Sequence, residues 1–290
     1  MNAPERSTPL GAAGLVLLAV LSLQVGAAFA VQLFDDLGAA GAAFGRLAFA
    51  AVVLVALWRP RVRGHGAADL RVAIAFGLVL GGMNLCIYEA MDRIPLGIAV
   101  TFEFIGPLGV ALAGSRRALQ LLWVALAAIG IGLLADYGGG SLDALGVAFA
   151  LAAGALWAGY ILLGARTGRA FPGGTGLAIA MAVGALAIAP FGIASAGDAL
   201  LRPELLGAIL AVALASSVLP YSLELEALRR VPAAVFGVLM SLEPAVAALA
   251  GFVVLGQDLA ARDWLAIGLV VVASAGATAG AATVAPAPRG

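Results

Sequence analysis

The sequence predicts an all-α integral membrane protein: ten transmembrane helices built as two inverted five-helix repeats, at residues 10–137 and 144–282. Three observations predict this fold. Of 290 residues, 63% are hydrophobic and only 11% charged, against roughly 25% charged in soluble domains. Apolar runs long enough to cross a bilayer follow one another with very short polar breaks. Such runs must be helices, because only a helix satisfies every backbone group within one span. Finally, the stretch from Glu89 to Gly114 recurs from Glu226 to Gly251 at a constant offset of 137 residues. Pro95 matches Pro232, Pro107 matches Pro244, Arg93 matches Arg230, and the Ala-Leu-Ala-Gly runs at 111–114 and 248–251 are identical. The shared proline spacing makes chance a poor explanation.

The spans lie approximately at 10–33, 38–58, 70–90, 94–114, 118–135, 144–164, 175–194, 205–227, 231–255 and 263–282. In the first, Ala28-Phe29-Ala30 resembles a signal-cleavage site, but the apolar run exceeds the roughly 7–15 residues of an h-region. It is expected to stay in place as a span. The second carries Arg46 near its middle, and the third carries Asn84 and Tyr88. The fourth opens after Pro95 and holds Glu103 ahead of Pro107. The fifth is apolar but for Gln120 and leads into a polar joint between the halves, Asp136 to Asp143. The sixth contains Trp157 and Tyr160, and the seventh is almost wholly apolar. The eighth carries Pro220-Tyr221-Ser222 and Glu224, and the ninth has Glu243 beside Pro244. Gly41/Gly45, Gly77/Gly81 and Gly276/Gly280 read as small-residue contacts between helices of one chain, with a homodimer seam at Gly276/Gly280 as the alternative.

Arginine placement sets the orientation. The chain has no lysine, so all 16 basic residues are arginine. With the N-terminus in the cytoplasm, one side collects Arg6, Arg59, Arg61, Arg63, Arg71, Arg116, Arg117, Arg166, Arg169, Arg229, Arg230 and Arg289. The other side receives only Arg93, Arg202 and Arg262, together with Asp35, Asp36, Asp136, Asp143, Asp198, Asp258 and Asp263. This is the positive-inside pattern and places both termini in the cytoplasm. Five spans per half turn the second copy upside down, which agrees with Arg93 falling outside and Arg230 inside. Inverted repeats let one fold present a central site alternately to either side, the construction of secondary transporters.

Several chemistries are disfavoured. Cys86 is the only cysteine and His65 the only histidine, so no internal disulfide exists and no zinc or haem site of the usual ligand types can be assembled. No metal and no cofactor is expected, and no nucleic-acid partner. A membrane-embedded enzyme is the remote alternative. His65 falls in a loop, and no nucleophile motif such as G-x-S-x-G is present. The partners expected are a small solute, protons and the lipid bilayer.

Charge within a span costs about 2.5–3.5 kcal/mol on insertion scales, so each buried ion needs a reason. Glu103 lies roughly 12 Å beyond Pro95 at 1.5 Å per residue, and Glu243 is about as deep in the matching span. The two are not equivalent in the repeat, since Glu103 aligns with Met240, but each precedes the aligned proline. A proline that interrupts the backbone ladder next to an acid makes a place to bind or pass a cation. Burial favours the protonated form of a carboxyl, which suits proton exchange. Glu103 and Glu243 are therefore read as proton-coupling or ammonium-binding groups, against the alternative of structural acids held by Arg46. Arg46 could receive a substrate carboxylate through its two-pronged guanidinium or pair with a glutamate to hold the bundle. Gln24, Asn84, Tyr88, Trp157, Tyr160 and Tyr221 could line a substrate cavity or simply bond between helices. Glu224 is a candidate on the cytoplasmic side of the pathway. Glu89 and Glu226, each near an arginine at a span end, read as interfacial ion pairs.

The two copies, Arg46 within Phe44-Gly45-Arg46-Leu47-Ala48-Phe49-Ala50, and Gly154-Ala155-Leu156-Trp157-Ala158-Gly159-Tyr160 resemble the EamA-type carriers of the drug/metabolite transporter superfamily. Five further strings are similar to the threonine/homoserine-exporting members of that group: 81–84 (GGMN), 94–100 (IPLGIAV), 103–108 (EFIGPL), 219–224 (LPYSLE) and 239–244 (LMSLEP). The resemblance runs nearly end to end. It implies ten helices, a bacterial inner-membrane location and efflux of small neutral amino acids of the threonine and homoserine type, by proton antiport. The alternative within the fold is another metabolite or a drug-like solute. Because the Arg46 motif is shared by carriers of unlike substrates, the resemblance favours a structural role for that residue.

Reporter fusions check the topology. Fusions after Arg117 and Gly168 are expected to read cytoplasmic, and fusions after Asp36 and Gly139 periplasmic. One reversal among the four undoes the five-spans-per-half arrangement.

Overall fold

The computed structural model describes residues 9–60, 64–113, 119–134, 142–228, 230 and 233–282. Arg6, Arg61, Arg63, Arg116, Arg117, Arg229, Arg289, Pro232, Asp136 and the rest of the joint up to residue 141 lie outside the described residues. Among the described residues the regular structure is helical: α1 (Pro9–Val31), α2 (Phe34–Trp58), α3 (Ala67–Met91), α4 (Leu96–Glu103), α5 (Ile105–Ala113), α6 (Leu119–Leu134), α7 (Ala144–Ala170), α8 (Thr175–Ala196), α9 (Pro203–Ala213), α10 (Leu219–Leu228), α11 (Ala233–Met240), α12 (Glu243–Leu255) and α13 (Ala261–Ala282). A 3₁₀ turn, Gly197–Leu201, follows α8, and a π turn, Leu214–Val218, joins α9 to α10. Eight stretches are long and apolar enough to cross a membrane, and two shorter apolar stretches, Leu96–Val110 and Leu121–Leu134, accompany them. The chain is a multi-pass membrane protein.

Three of the expected spans are interrupted rather than straight, at Phe104, at 214–218 and at Ser241-Leu242. Two other departures have simple causes. α7 continues to Ala170, six residues past the expected end, because Arg166 and Arg169 end an apolar run without ending a helix. α2 begins at Phe34 but breaks at Gly38 (φ 67°, ψ 162°), so the unbroken part starts close to the expected boundary. A side chain at Gly38 would strike the Ser195 hydroxyl, which donates to the Leu37 carbonyl at 3.0 Å. Local caps come from polar loop residues. Asp143 accepts from the Gly146 N–H at 2.8 Å to open α7. Gln257, far along the chain, accepts from the Leu96 N–H at 3.0 Å to open α4.

The most extensive interfaces, α2 on α8, α3 on α7 and α8, and α6 on α13, each join an element before residue 135 to one after residue 143. The two halves therefore interdigitate rather than sit side by side. Small residues make this possible, since apolar helices in lipid gain from close backbone approach. Gly41 meets Ala196, and Gly77 and Gly81 meet the backbone of Ala180 and Gly184 on α8. Gly276 meets the Trp123 ring of α6, so it is occupied within the chain rather than free for a second copy. α1, the segment with the signal-like Ala28 and Ala30, packs on α10 and α12 with both alanines fully buried.

The tightest approach holds α5 against α7 just beyond Glu103. A side chain at Gly106 would run into the Gly154 carbonyl, and one at Gly154 would meet the Glu103 carbonyl at 2.6 Å. Both obstacles are backbone and cannot swing aside. Gly106→Ala is expected to cost about 1–3 kcal/mol by overpacking, seen as a lower unfolding temperature of the purified protein in detergent. Gly109→Ala, where nothing lies within 4 Å, should leave that temperature unchanged.

Candidate functional site

The ten polar and aromatic residues named from the sequence, Gln24, Arg46, Asn84, Tyr88, Glu103, Trp157, Tyr160, Tyr221, Glu224 and Glu243, all line one cavity of about 490 Å³. It lies between α1, α2, α3, the α4–α5 and α11–α12 breaks, α7, α10 and α13. Volumes of this order suit a small ligand.

Arg46, only 4% exposed, projects from α2 toward two acceptors one turn apart on α3. Its Nη1 donates to the Tyr88 hydroxyl at 3.1 Å and its Nη2 to Asn84 Oδ1 at 2.5 Å. Asn84 is itself steadied by donating from Nδ2 to the Leu80 carbonyl at 2.8 Å. Nε has no partner. No carboxylate among the described residues comes within 4.0 Å of the guanidinium. Arg46 is thus held by neutral groups, and the expected alternative of a glutamate partner is not what the structure shows.

The glutamates owe their positions to the two broken helices. Glu103 is the last residue of α4 and Glu243 the first of α12. Pro107 has no N–H to return to the Glu103 carbonyl, and Pro244 has none for the Met240 carbonyl, so each ladder opens four residues before its proline. The breaks at 104 and 241 are themselves 137 residues apart, equivalent in the repeat although the acids are not. Glu243 is 1% exposed and both of its carboxyl oxygens are buried without a partner, with the Gln24 side chain as its neighbour. Glu103, 7% exposed, has no hydrogen-bond or ion-pair partner among the described residues.

Tyr221 and Glu224 reach the cavity through the π turn. The Leu219 N–H donates to the Leu214 carbonyl, a five-residue step. The next such step would end on Pro220, which has no N–H, so the Ala215 carbonyl is left over. Ser22 of α1 supplies the missing donor, its hydroxyl giving to Ala215 at 2.6 Å. One turn further along α1, Gly26 lets the helices close on Ser216. The aromatic residues are pinned by rings: Trp157 stands edge-on to Phe104 at 5.0 Å, and Tyr160 tilts against Phe76 at 4.9 Å.

Sequence reasoning missed part of the wall: Met83, Phe104, Phe236 and Met240, and Ser274 and Thr278 on α13. The apolar four carry no signal that separates lining from core. Ser274 and Thr278 do, being hydroxyls one turn apart in an apolar span. Ser274 bonds Ser241 at the second break, at 3.0 Å. Glu89 and Glu226 stay off the central cavity wall. Glu89 pairs with Arg93 at 2.8 Å, and Glu226 pairs with Arg230, the same four-residue spacing in both copies. A second, smaller cavity of about 170 Å³ adjoins at Tyr221, walled by Leu54, Trp58, Gly174, Leu177, Ser222 and Glu226.

Buried opposite charges around a solute-sized cavity, in a bundle of apolar helices, define a membrane carrier. The comparisons say which kind: the chain belongs to the EamA-like transporter family, whose model matches residues 144–279. It is 44% identical to the threonine/homoserine exporter RhtA of Salmonella typhimurium LT2 over 282 residues, covering 96% of this chain and 95% of that one. RhtA of Escherichia coli K12 is also 44% identical, over 91% of this chain and 90% of its own length. An uncharacterized transporter of Bacillus subtilis, YwfM, is 29% identical over 93% and 84%. A crystal structure of a protein 18% identical superposes with a TM-score of 0.60 over 97% of this chain and 99% of its own, a likeness of fold. The chain is a transporter and not an enzyme.

Ser22→Ala tests the π turn. It leaves a part-buried carbonyl in an apolar bundle unpaired, a cost of about 1–3 kcal/mol, and should lower the unfolding temperature. Ser222→Ala removes only a bond back to Val218 in the same helix and should change it little.

Proposed function

We propose that this protein exports small neutral amino acids of the threonine and homoserine type across the bacterial inner membrane, by proton antiport and alternating access. The observation that carries the reading is the cavity, which collects a buried arginine, three carboxyls and three tyrosines in an otherwise apolar bundle. The substrate class rests on the exporters that the chain resembles along nearly its whole length.

In this reading residues 10–137 and 144–282 are inverted five-helix repeats and both termini are cytoplasmic. The family match at 144–279 and the packing support it. α1 lies on α10 as α7 lies on α3, and α2 lies on α9 as α8 lies on α3, which is the set of pairs that exchanging the two halves would produce. The loops also sort by side. Asp36 and Arg202, both assigned outside, pair at 3.7 Å. At the other end the Trp58 ring lies against Gly173 and Gly174, and His65 stacks on Phe171 at 4.4 Å. The cavity is built within one chain, so one chain is the transporting unit.

Glu103 and Glu243 carry the coupled protons, each exposed in turn to one side as access alternates. Gln24, Asn84, Tyr88, Trp157, Tyr160 and Tyr221 form the wall against which the solute rests, Arg46 serves its carboxylate, and Glu224 lies on the cytoplasmic side of the path. Inverted vesicles containing the protein should accumulate labelled threonine or homoserine when a pH gradient is imposed. Glu103→Gln and Glu243→Gln, fixed in the protonated shape, should lose gradient-driven uptake while keeping exchange at equal concentrations. Glu89→Gln should behave as wild type. Full gradient-driven uptake by both cavity variants would show that neither carries the proton.

A further inference from the structure

The central cavity is lined by a cation and an acid that are not in contact. Arg46 and Glu103 feel one another's charge, but no carboxylate lies within 4.0 Å of the guanidinium among the described residues. Two opposite charges buried in one apolar chamber ordinarily close into contact, because removing both from water is compensated only by good pairing geometry. Here each is kept back. Arg46 is drawn to Asn84 and Tyr88 on α3, and Glu103 is fixed at the end of α4 by the close backbone contact between Gly106 and Gly154. Arg46 Nε is left as a buried donor without an acceptor, and Glu103 is left as an acid without a donor. Both line the same cavity, and a molecule with an anion at one end and a cation at the other would satisfy both.

The other two acids fit this role less well. The charged groups that act on Glu243 are Glu224 and Glu103 rather than Arg46. Glu224 lines the central cavity from α10, but of the three acids only Glu103 acts on the charge of Arg46. Volume cannot select the solute either, since about 490 Å³ holds a small amino acid with room for water. Recognition must come from the charged ends.

We infer that Arg46 and Glu103 form a two-ended clamp for the zwitterion of an α-amino acid, with Arg46 taking the carboxylate and Glu103 the ammonium group. The inference rests on the amino-acid reading above and narrows it: both ionic ends must be free, whatever the side chain. Two close derivatives remove one end each. N-acetylhomoserine keeps the carboxylate and loses the ammonium, and homoserine lactone keeps the amine and loses the carboxylate.

The test is competition against labelled homoserine or threonine in counterflow by wild-type protein in liposomes. Homoserine should compete fully. Each derivative should compete at least about tenfold more weakly, the loss expected for one charge-assisted contact. In Arg46→Gln the preference for homoserine over its lactone should vanish while the preference over the N-acetyl compound remains, and Glu103→Gln should show the reverse. A merely structural role for either residue would change the exchange rate without moving these ratios. Wild-type protein that accepts either derivative as well as homoserine overturns the clamp, and needs no variant to fold. So do variants that keep both ratios. If the labelled solutes do not exchange but another α-amino acid does, with its N-acetyl and amide derivatives excluded, the threonine/homoserine reading falls and the clamp stands. If no α-amino acid exchanges, both fall.

Discussion

Charge buried in an apolar bundle is the constraint on which the rest of this structure turns. A chain with 11% charged residues keeps nearly all of them at the ends of its helices, where water or an ion pair satisfies them, as for Glu89 with Arg93. The exceptions gather around one space. Arg46 is tolerated because Asn84 and Tyr88 give its guanidinium two neutral acceptors one turn apart, and those acceptors sit on a helix pinned by Gly77 and Gly81 against α8. Had a glutamate taken that place, the ions would have neutralised each other and the cavity would have had little to offer a solute. Neutral ligation of the arginine is what leaves the acids available.

The same economy governs the backbone. In lipid a free carbonyl or amide is costly unless it faces a polar cavity or finds a donor. Each of the three interruptions has one remedy or the other. At the π turn, Ser22 supplies the donor that Pro220 cannot. At the second break, Ser241 donates to the Gly237 carbonyl and bonds Ser274 across to α13. At the first, the opening borders the cavity beside Glu103. Proline, serine and glycine are therefore placed where they are by one requirement: a helix may be broken only where its loose ends are met.

Much of this was legible in the sequence, and the part that was not has a physical reason. Apolar runs located the spans, because burial in lipid demands them. Polar residues inside those runs marked the cavity wall, because each is expensive anywhere else, and Gln24, Arg46 and Glu243 all lie on it. Methionine and phenylalanine carry no such penalty, so Met83, Phe104, Phe236 and Met240 could not be told from core. Prolines announced a weakened ladder at 107 and 244, but the breaks fell three and two or three residues earlier, since the bond that is lost reaches back one turn. Ser22 and Ala215 were invisible as a pair, being 193 positions apart. The partner of Arg46 was also hidden, because spacing shows that an ion is buried and not which groups surround it.

The two broken helices differ in one way that bears on alternating access. α4 crosses α12 so closely that a side chain at Gly97 would collide with the backbone of Ala248. Exchange of the repeats turns this pair into α5 and α11, which make no comparable interface. The apolar core has one large cluster and two small ones. The large cluster takes in α4 and α12 and runs along α2 from Phe34 to Leu54 and along α8. Leu108, Ala127, Ala273 and Ala277 form a separate cluster, and Val16, Val20 and Ala227 another. Among the described residues α4 and α12 cross closely while α5 and α11 do not, and the latter pair lies on the cytoplasmic side under the arginine-based orientation. Under the proposed inverted repeat the reverse arrangement is available from the same sequence: closing α5 on α11 while releasing Gly97 from Ala248 would turn the cavity outward. Glu103 and Glu243 lie one on each side of the two breaks, which in the proposed alternating-access reading would be the hinges.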